Sequence, residues 1–312
     1  MNTALPHLNP KYPINAAYLL HPQFASELKQ ELQSNFTIAG DLLLSTEEPK
    51  AVCFAQDIWY EPKVVNVQSI SAAAKILRQV QKYWYLHPLS HIRRSRLIEA
   101  QVKTCPNLVQ TFPSIDPLPQ IGVFSLLDEH TLIYSAKRSH PWPDGHCQFI
   151  EDKTNPPNRA YLKLWEALSV LGRYPQTGET VVDLGASPGG WTYVMHTFGT
   201  QVLAIDKAPL APEIASLPGV SSRQQSAFAL EPKEFSKPID WLLSDVACYP
   251  ERAFRLIDLW IKSNKARQLI ITIKLQGETD LSIIKQLQKI PDAHIQHLYN
   301  NKHEVTFFYP FK

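Results

Sequence analysis

The chain has 312 residues, 44% hydrophobic and 19% charged, an ordinary globular composition with room for about two domains. A net charge of +2 and a pI near 8.2 permit an acidic polymer as partner without demanding one. The four cysteines (Cys53, Cys105, Cys147, Cys248) form no CxxC pair, which argues against a structural zinc site or a thioredoxin-like motif, and free thiols are expected. No run approaches 18 consecutive apolar residues, and MNTALPHLNPKYPINAAYLL lacks a basic segment followed by a long apolar core, so a soluble, cytoplasmic protein is expected.

In chain order, YLLHPQFASELKQELQ (18–33) reads as a strand running into a helix. The β-prone runs AVCFAQDIWY and TLIYSA follow, so residues 1–150 are expected to form a smaller α+β domain. Between Lys75 and Lys103 there are seven Lys or Arg against one acid, Glu99. The ordinary reading of such a run is a solvated helix face. The functional reading is a phosphate-contacting patch with Lys75, Arg78, Lys82, Arg93, Arg94 and Arg96 as candidates. Trp59, Tyr60, Trp84 and Tyr85 have ring faces that suit base stacking, but core packing is the expectation. His87 and His91 have metal-ligand spacing, which Pro88 between them and the lack of a nearby acid pair argue against. SHPWPDGHCQFIEDKTNPPNRA (139–160) carries four prolines and little periodicity, and reads as a linker with the boundary near 150.

From 151 to 312 strands and helices alternate, as in a parallel α/β sheet. ETVVDLG (179–185), QVLAID (201–206), GVSSRQQ (219–225), IDWLLSDV (239–246) and RQLIITIKL (267–275) are predicted strands. WTYVMHTF (191–198), RAFRLIDLWIKSN (252–264) and DLSIIKQLQKI (280–290) are predicted helices, the second with Phe254, Leu256, Ile257, Trp260 and Ile261 on or near its buried face. AHIQHLYN and EVTFFYPF, joined by a short polar turn, are predicted to close the fold as an antiparallel hairpin.

The loop in VVDLGASPGGWTYV (181–194) joins a strand to a helix, which favours close approach of a ligand to its backbone. A P-loop requires GxxxxGK[ST], and here Trp191 follows Gly189-Gly190 with no lysine. A dinucleotide site requires GxGxxG, and here Gly185, Gly189 and Gly190 enclose Ser187 and Pro188. A third ligand class is S-adenosylmethionine, which has no phosphate. Asp206, closing the next strand, is placed to accept both hydroxyls of a ribose.

DLGASPGGW resembles the motif of the FtsJ-like RNA 2′-O-ribose methyltransferases. That resemblance implies a class I methyltransferase fold, a Rossmann-like, mostly parallel sheet with an antiparallel last strand, and a Lys-Asp-Lys-Glu tetrad. The matching positions are Lys163 in NRAYLKLWEA, Asp245 in DWLLSD, Lys274 in ITIKL and Glu304 in NKHEVTFF. It further implies S-adenosylmethionine as cofactor, held by Asp183, Gly185, Ser187, Pro188, Gly189, Gly190, Trp191, Asp206, Ser226 and Asp245, and RNA, most naturally ribosomal, as substrate. Ser226 stands where the family pattern has an aspartate facing the adenine amino group. The resemblance covers about residues 155–309. Over the first 150 residues it is weak: YLLHPQFASELKQEL and FAQDIWYEP are faintly similar to the ferredoxin-like and THUMP RNA-binding segments of such enzymes, for which this half is short.

A ribose hydroxyl becomes a good nucleophile only as its proton is removed. A lysine does this when neutral, and its unperturbed pKa of about 10.4 must then fall, through burial or a second ammonium. Lys274 is the expected general base, with Lys163 lowering its pKa, and Asp245 and Glu304 holding the cluster; no metal is called for. Two other readings remain: a methyltransferase for a non-RNA substrate, and an RNA-binding methyltransferase fold with weak or no catalysis.

Overall fold

A computed structural model describes residues 13–33, 36–114, 118–276, 279 and 281–311. The predicted N-terminal stretch up to residue 12 and Asp280 at the head of the last predicted helix lie outside the described residues. The chain divides into two compact units, one ending at Phe149 and the other beginning at Ile150.

In the first unit the elements run β1 (Ala16–Leu20), α1 (Ala25–Leu32), β2 (Phe36–Ala39), β3 (Leu42–Ser45), β4 (Ala55–Tyr60), β5 (Lys63–Asn66), α2 (Ile70–Val80), β6 (Tyr83–Leu86), α3 (Ile92–Glu99), β7 (Ile121–Leu126), β8 (Thr131–Ser135) and β9 (Lys137–Arg138). They build two sheets, β2-β3-β1-β4-β9 and β5-β8-β7-β6. The first is antiparallel throughout, and in the second only β6 and β7 run parallel. Trp59 and Tyr85 pack in one apolar cluster with Leu19, Leu44 and Val123. Trp84 sits in a second with Leu77, Ile98 and Phe124. Ser69 caps α2, its hydroxyl accepting the Ala72 N–H at 3.1 Å.

The second unit runs α4 (Tyr161–Leu171), β10 (Thr180–Leu184), α5 (Gly190–Thr197), β11 (Gln201–Asp206), α6 (Pro212–Ala215), β12 (Val220–Gln224), β13 (Ile239–Ser244), α7 (Pro250–Ser263), β14 (Ala266–Lys274), α8 (Leu281–Gln288), β15 (His294–Gln296) and β16 (Glu304–Tyr309). One seven-stranded sheet has the order β12-β11-β10-β13-β14-β16-β15. The pairs from β12 to β14 are parallel, and β16 enters antiparallel between β14 and β15. The hairpin is therefore antiparallel, but its second strand lies inside and its first strand at the edge. The central strands are apolar almost without interruption because both their faces are covered. Of the predicted buried face of α7, Leu256, Ile257 and Trp260 are buried, whereas Phe254 and Ile261 are only half-buried.

The chain order reverses between β10 and β13, so the connections after these strands diverge and leave a crevice at their carboxyl ends. Among the described residues no helix is long and apolar enough to cross a membrane.

Candidate active site

Four elements bring a charged side chain to the carboxyl end of the second unit's sheet. Lys163 comes from the first turn of α4, Asp245 from the residue after β13, Lys274 from the last position of β14 and Glu304 from the first of β16. Lys274 and Glu304 are direct cross-strand partners, a consequence of the β14–β16 register. Lys163 Nζ lies 3.1 Å from Asp245 Oδ2 and 2.6 Å from Glu304 Oε1. Lys274 Nζ lies 2.6 Å from Asp245 Oδ1 and pairs also with Glu304 Oε2. The four groups thus form a closed ring of alternating charge. Thr272 Oγ1 adds a 2.6 Å hydrogen bond to Asp245 Oδ1.

The ring bears on the expected base. Burial alone would lower the Lys274 pKa and raise that of Asp245. The carboxylates of Asp245 and Glu304 outweigh burial at Lys274 and hold its ammonium above the usual lysine range. The ammonium groups of Lys274 and Lys163, with the Lys274 and Thr272 hydrogen bonds, outweigh it at Asp245, which lies below the usual carboxylate range. The expected net lowering of the Lys274 pKa is therefore corrected: burial acts in that direction, but the two carboxylates paired with the ammonium outweigh it.

Beside this ring lies the glycine loop. Gly185 N–H donates to Ile205 O at 2.8 Å, and Ser187 N–H to Asp206 Oδ2 at 3.1 Å, which ties the loop to the neighbouring strand. Pro188 O accepts the Ala211 N–H at 3.0 Å. Gly189 has φ 117°, and a Cβ there would meet Ile214 Cγ2 at 2.7 Å. A Cβ on Gly190 would meet Asn158 Oδ1 at 2.3 Å. The positive φ of Gly189 therefore requires glycine, whereas a side chain at Gly190 would have to displace Asn158. Trp191 is buried, and its indole N–H donates to Ala160 O at 2.9 Å, joining the loop to the start of α4. Ser226 accepts the Phe228 N–H at 3.4 Å and so caps a short 3-10 turn.

Asp183 is buried and accepts the Thr192 hydroxyl at 2.7 Å. Burial pushes its carboxyl up to about 7, the Thr192 bond opposing this and the charges of Asp245 and Asp206 adding to it. Asp206, Asp183 and Asp245 stand at or next to the carboxyl ends of three adjacent strands, and the loop between them has no lysine or arginine.

In the first unit, Lys75, Lys82 and Arg93 are exposed. Arg78 Nη1 donates to Gln101 O at 2.6 Å, and Arg96 pairs with Glu99 at 2.7 Å. Arg94 is half-buried, with Nε and Nη2 sealed from solvent and without a hydrogen-bond partner among the described residues. Trp59, Trp84 and Tyr85 are core residues, so stacking on bases is excluded for these three. His87 is buried with Nδ1 2.8 Å from Asp144 and Nε2 2.9 Å from Asp41, while His91 is exposed at the start of α3. Both ring nitrogens of His87 are thus engaged, and the pair does not form a metal site.

Two residues beyond the predicted set belong to the tetrad's surroundings. Thr272 carried no sequence signal beyond lying two residues before Lys274. Glu166 did: it is an acid inside YLKLWEALSVL, a helix buried nearly all round, where an acidic side chain must find partners.

A reversing parallel sheet with a glycine loop after its first strand and an inserted antiparallel strand defines a class I methyltransferase fold. Residues 156–295 match the family model of the FtsJ-like methyltransferases. The chain is 37% identical over 175 residues to ribosomal RNA large subunit methyltransferase M of Halorhodospira halophila (strain DSM 244 / SL1), covering 54% of this chain and 50% of that protein. It is 30% identical over 191 residues to the protein of that name from Azoarcus sp. (strain BH72), covering 56% and 51%. The chain thus spans about half the length of the curated relatives it matches.

The family implies S-adenosylmethionine, and the donor set fits it. A row of carboxyl groups at three adjacent strand ends, beside a glycine loop with no lysine or arginine, offers the loop's ligand no countercharge for a phosphate. It suits a ligand with a sulfonium, an ammonium and a ribose diol.

Proposed function

We propose that this chain methylates the 2′-hydroxyl of a ribose in ribosomal RNA of the large subunit. The observation that carries the reading is the closed Lys163–Asp245–Lys274–Glu304 ring beside the glycine loop and its flanking aspartates. The names of the relatives support large-subunit ribosomal RNA as the substrate class. A small-molecule methyl acceptor gives no reason for two lysines in one cleft.

Bound S-adenosylmethionine would supply an electrophilic methyl group, with sulfur keeping the carbon–sulfur electron pair. Asp206 would hold the ribose diol of this cofactor, Ser226 its adenine edge, and Asp183 with the loop from Gly185 to Trp191 its amino-acid end. Lys163 hydrogen-bonds the target 2′-oxygen and orients it. Lys274, in its neutral form, takes the hydroxyl proton as the oxygen attacks. Asp245 and Glu304 keep the two amines within reach of one oxygen. A positioned base contributes roughly 10²–10⁴-fold, and alignment of the reactants about 7–11 kcal/mol. Alignment is therefore the larger effect, and the ring is first an alignment device. The first unit holds the RNA, with Lys75, Arg78, Lys82, Arg93 and Arg96 as the exposed members of the basic set and Arg94 half-buried among them.

The test is transfer of labelled methyl to large-subunit ribosomal RNA by the wild type and by Lys274→Ala. Wild type should label the RNA and leave an alkali-resistant linkage at the modified ribose. Lys274→Ala should fall at least about 100-fold. Equal labelling by the variant would show that the base is misassigned, and label on a nucleobase would reject the ribose reading.

A further inference from the structure

Glu166 is fully buried on α4, one helical turn beyond Lys163. Its Oε1 accepts the Tyr299 N–H at 2.8 Å, and its Oε2 accepts both the Asn300 N–H and Asn300 Nδ2, each at 2.7 Å. These donors belong to the turn that leads from β15 into β16. Asn301, the next residue, locks the turn further: its Oδ1 accepts the Leu298 N–H at 2.9 Å and the Thr306 hydroxyl at 3.1 Å. Its Nδ2 lies 3.5 Å from Glu304 Oε1, the oxygen that also meets Lys163.

One turn of helix therefore grips the ring at two points. Lys163 reaches its oxygens directly, and Glu166 fixes the backbone that delivers Glu304. Residues three apart on a helix share a face, so α4 and the 299–304 turn cannot shift relative to each other without breaking one grip. A buried carboxylate with three donors and, among the described residues, no bonded cation is costly to keep for stability alone.

We infer that Glu166 is a positioning residue, clamping the Tyr299–Asn300 turn to α4 so that Glu304 stands between Lys163 and Lys274. The inference rests on the methyl-transfer reading of the ring. Burial pushes the Glu166 carboxyl up to about 7, against the lowering effect of the Asn300 and Tyr299 hydrogen bonds. As a carboxylate it is acceptor-only and can satisfy all three donors. Once protonated it presents a donor where an acceptor is needed, so the clamp loosens as pH falls through 7.

Two measurements on the full chain test this. The first is hydrogen exchange of the peptide covering Tyr299 and Asn300, which requires no methyl transfer. In the wild type, protection should drop as pH is lowered through 7, after correction for intrinsic exchange. In Glu166→Gln it should be low at every pH. The second is steady-state methylation of ribosomal RNA. Glu166→Gln should lower kcat about 10- to 100-fold with the KM for S-adenosylmethionine changed less than twofold. Glu166→Asp, which keeps the acceptors on a shorter stem, should recover part of the loss. Should Glu166→Gln fail to fold, Asn300→Ala, which removes one donor, should lower kcat about threefold and exchange protection with it.

Wild-type exchange without a pH step, or a Glu166→Gln variant with wild-type kcat, would overturn the clamp. If the wild type shows the exchange step but labels no RNA, the clamp stands and it is the methyl-transfer reading that fails.

Discussion

Each unit contains a buried charge network, and the two differ in a way that separates structure from chemistry. In the first, Arg138 and Asp57 are 2% and 0% exposed and 2.7 Å apart. Arg138 donates to Asp57, to the carbonyls of Ile121 and Trp142, each at 3.0 Å, and to that of Pro141 at 3.4 Å. Asp57 also accepts Ser139 Oγ at 3.0 Å and the Ile58 N–H at 2.9 Å. In the second, Lys163, Asp245 and Lys274 keep 16%, 17% and 20% of their side chains exposed. The closed network uses a guanidinium that cannot lose its proton, and its partners are largely backbone. The open network uses amines, which can, and its partners are side chains. A saturated network fixes loops, whereas an accessible one can exchange a partner for a substrate atom.

The sharpest way to break the comparison is to remove one cation from each. Arg138→Ala should destabilise the first unit by about 3–5 kcal/mol in urea unfolding, because it strands a buried carboxylate. Lys274→Ala should leave the unfolding midpoint nearly unchanged and abolish methyl transfer. If the two variants exchange these phenotypes, the division is wrong.

The next effect concerns His87. Burial would lower its pKa, but Asp144 and Asp41 outweigh this and raise it to about 9. The folded value exceeds the unfolded one of about 6.5, so the stabilisation is fully present below that pH and is lost as pH rises through 9. It amounts to about 3 kcal/mol, by the conversion of about 1.4 kcal/mol per pH unit. Unfolding titrations should show this slope in the wild type and a flat profile over the same window in His87→Gln.

Lys274 gives a kinetic counterpart. Its ammonium is held above the usual lysine range, so the neutral base is a minority form at neutral pH. The single-turnover methylation rate should climb with pH through the alkaline range. A plateau below pH 8 would mean that Lys274 acts in its charged form.

The smallest effect belongs to the exposed basic residues. Arg93→Gln should weaken RNA binding about equally across sequences and reduce the salt slope by about one, read from binding isotherms at several salt concentrations. An unchanged slope would remove Arg93 from the RNA surface.

Much of the second unit was legible in the sequence because period and order are local properties. VVDLGASPGGWTYV named a strand, a loop and a helix start, and the alternating segments after it predicted a parallel sheet. The residue types of the ring were legible too, through the family resemblance. The first unit was less so: its short strands pair in two sheets with mixed partners, which no local pattern specifies. His87 was read against His91 by spacing, while its partners Asp41 and Asp144 lie 46 and 57 residues away.

By itself, then, the sequence determined which side chains are available and on which elements they ride. Tertiary structure alone decided their ionisation and their company. Lysine, aspartate, lysine and glutamate in that order say nothing about who neighbours whom. The β14–β16 register sets Glu304 against Lys274, and the geometry of α4 adds Lys163 from the other side. Because pKa depends on distance and burial rather than on order along the chain, only the folded ring could show that Lys274 is held charged, and only the folded turn that Glu166 has three donors to satisfy.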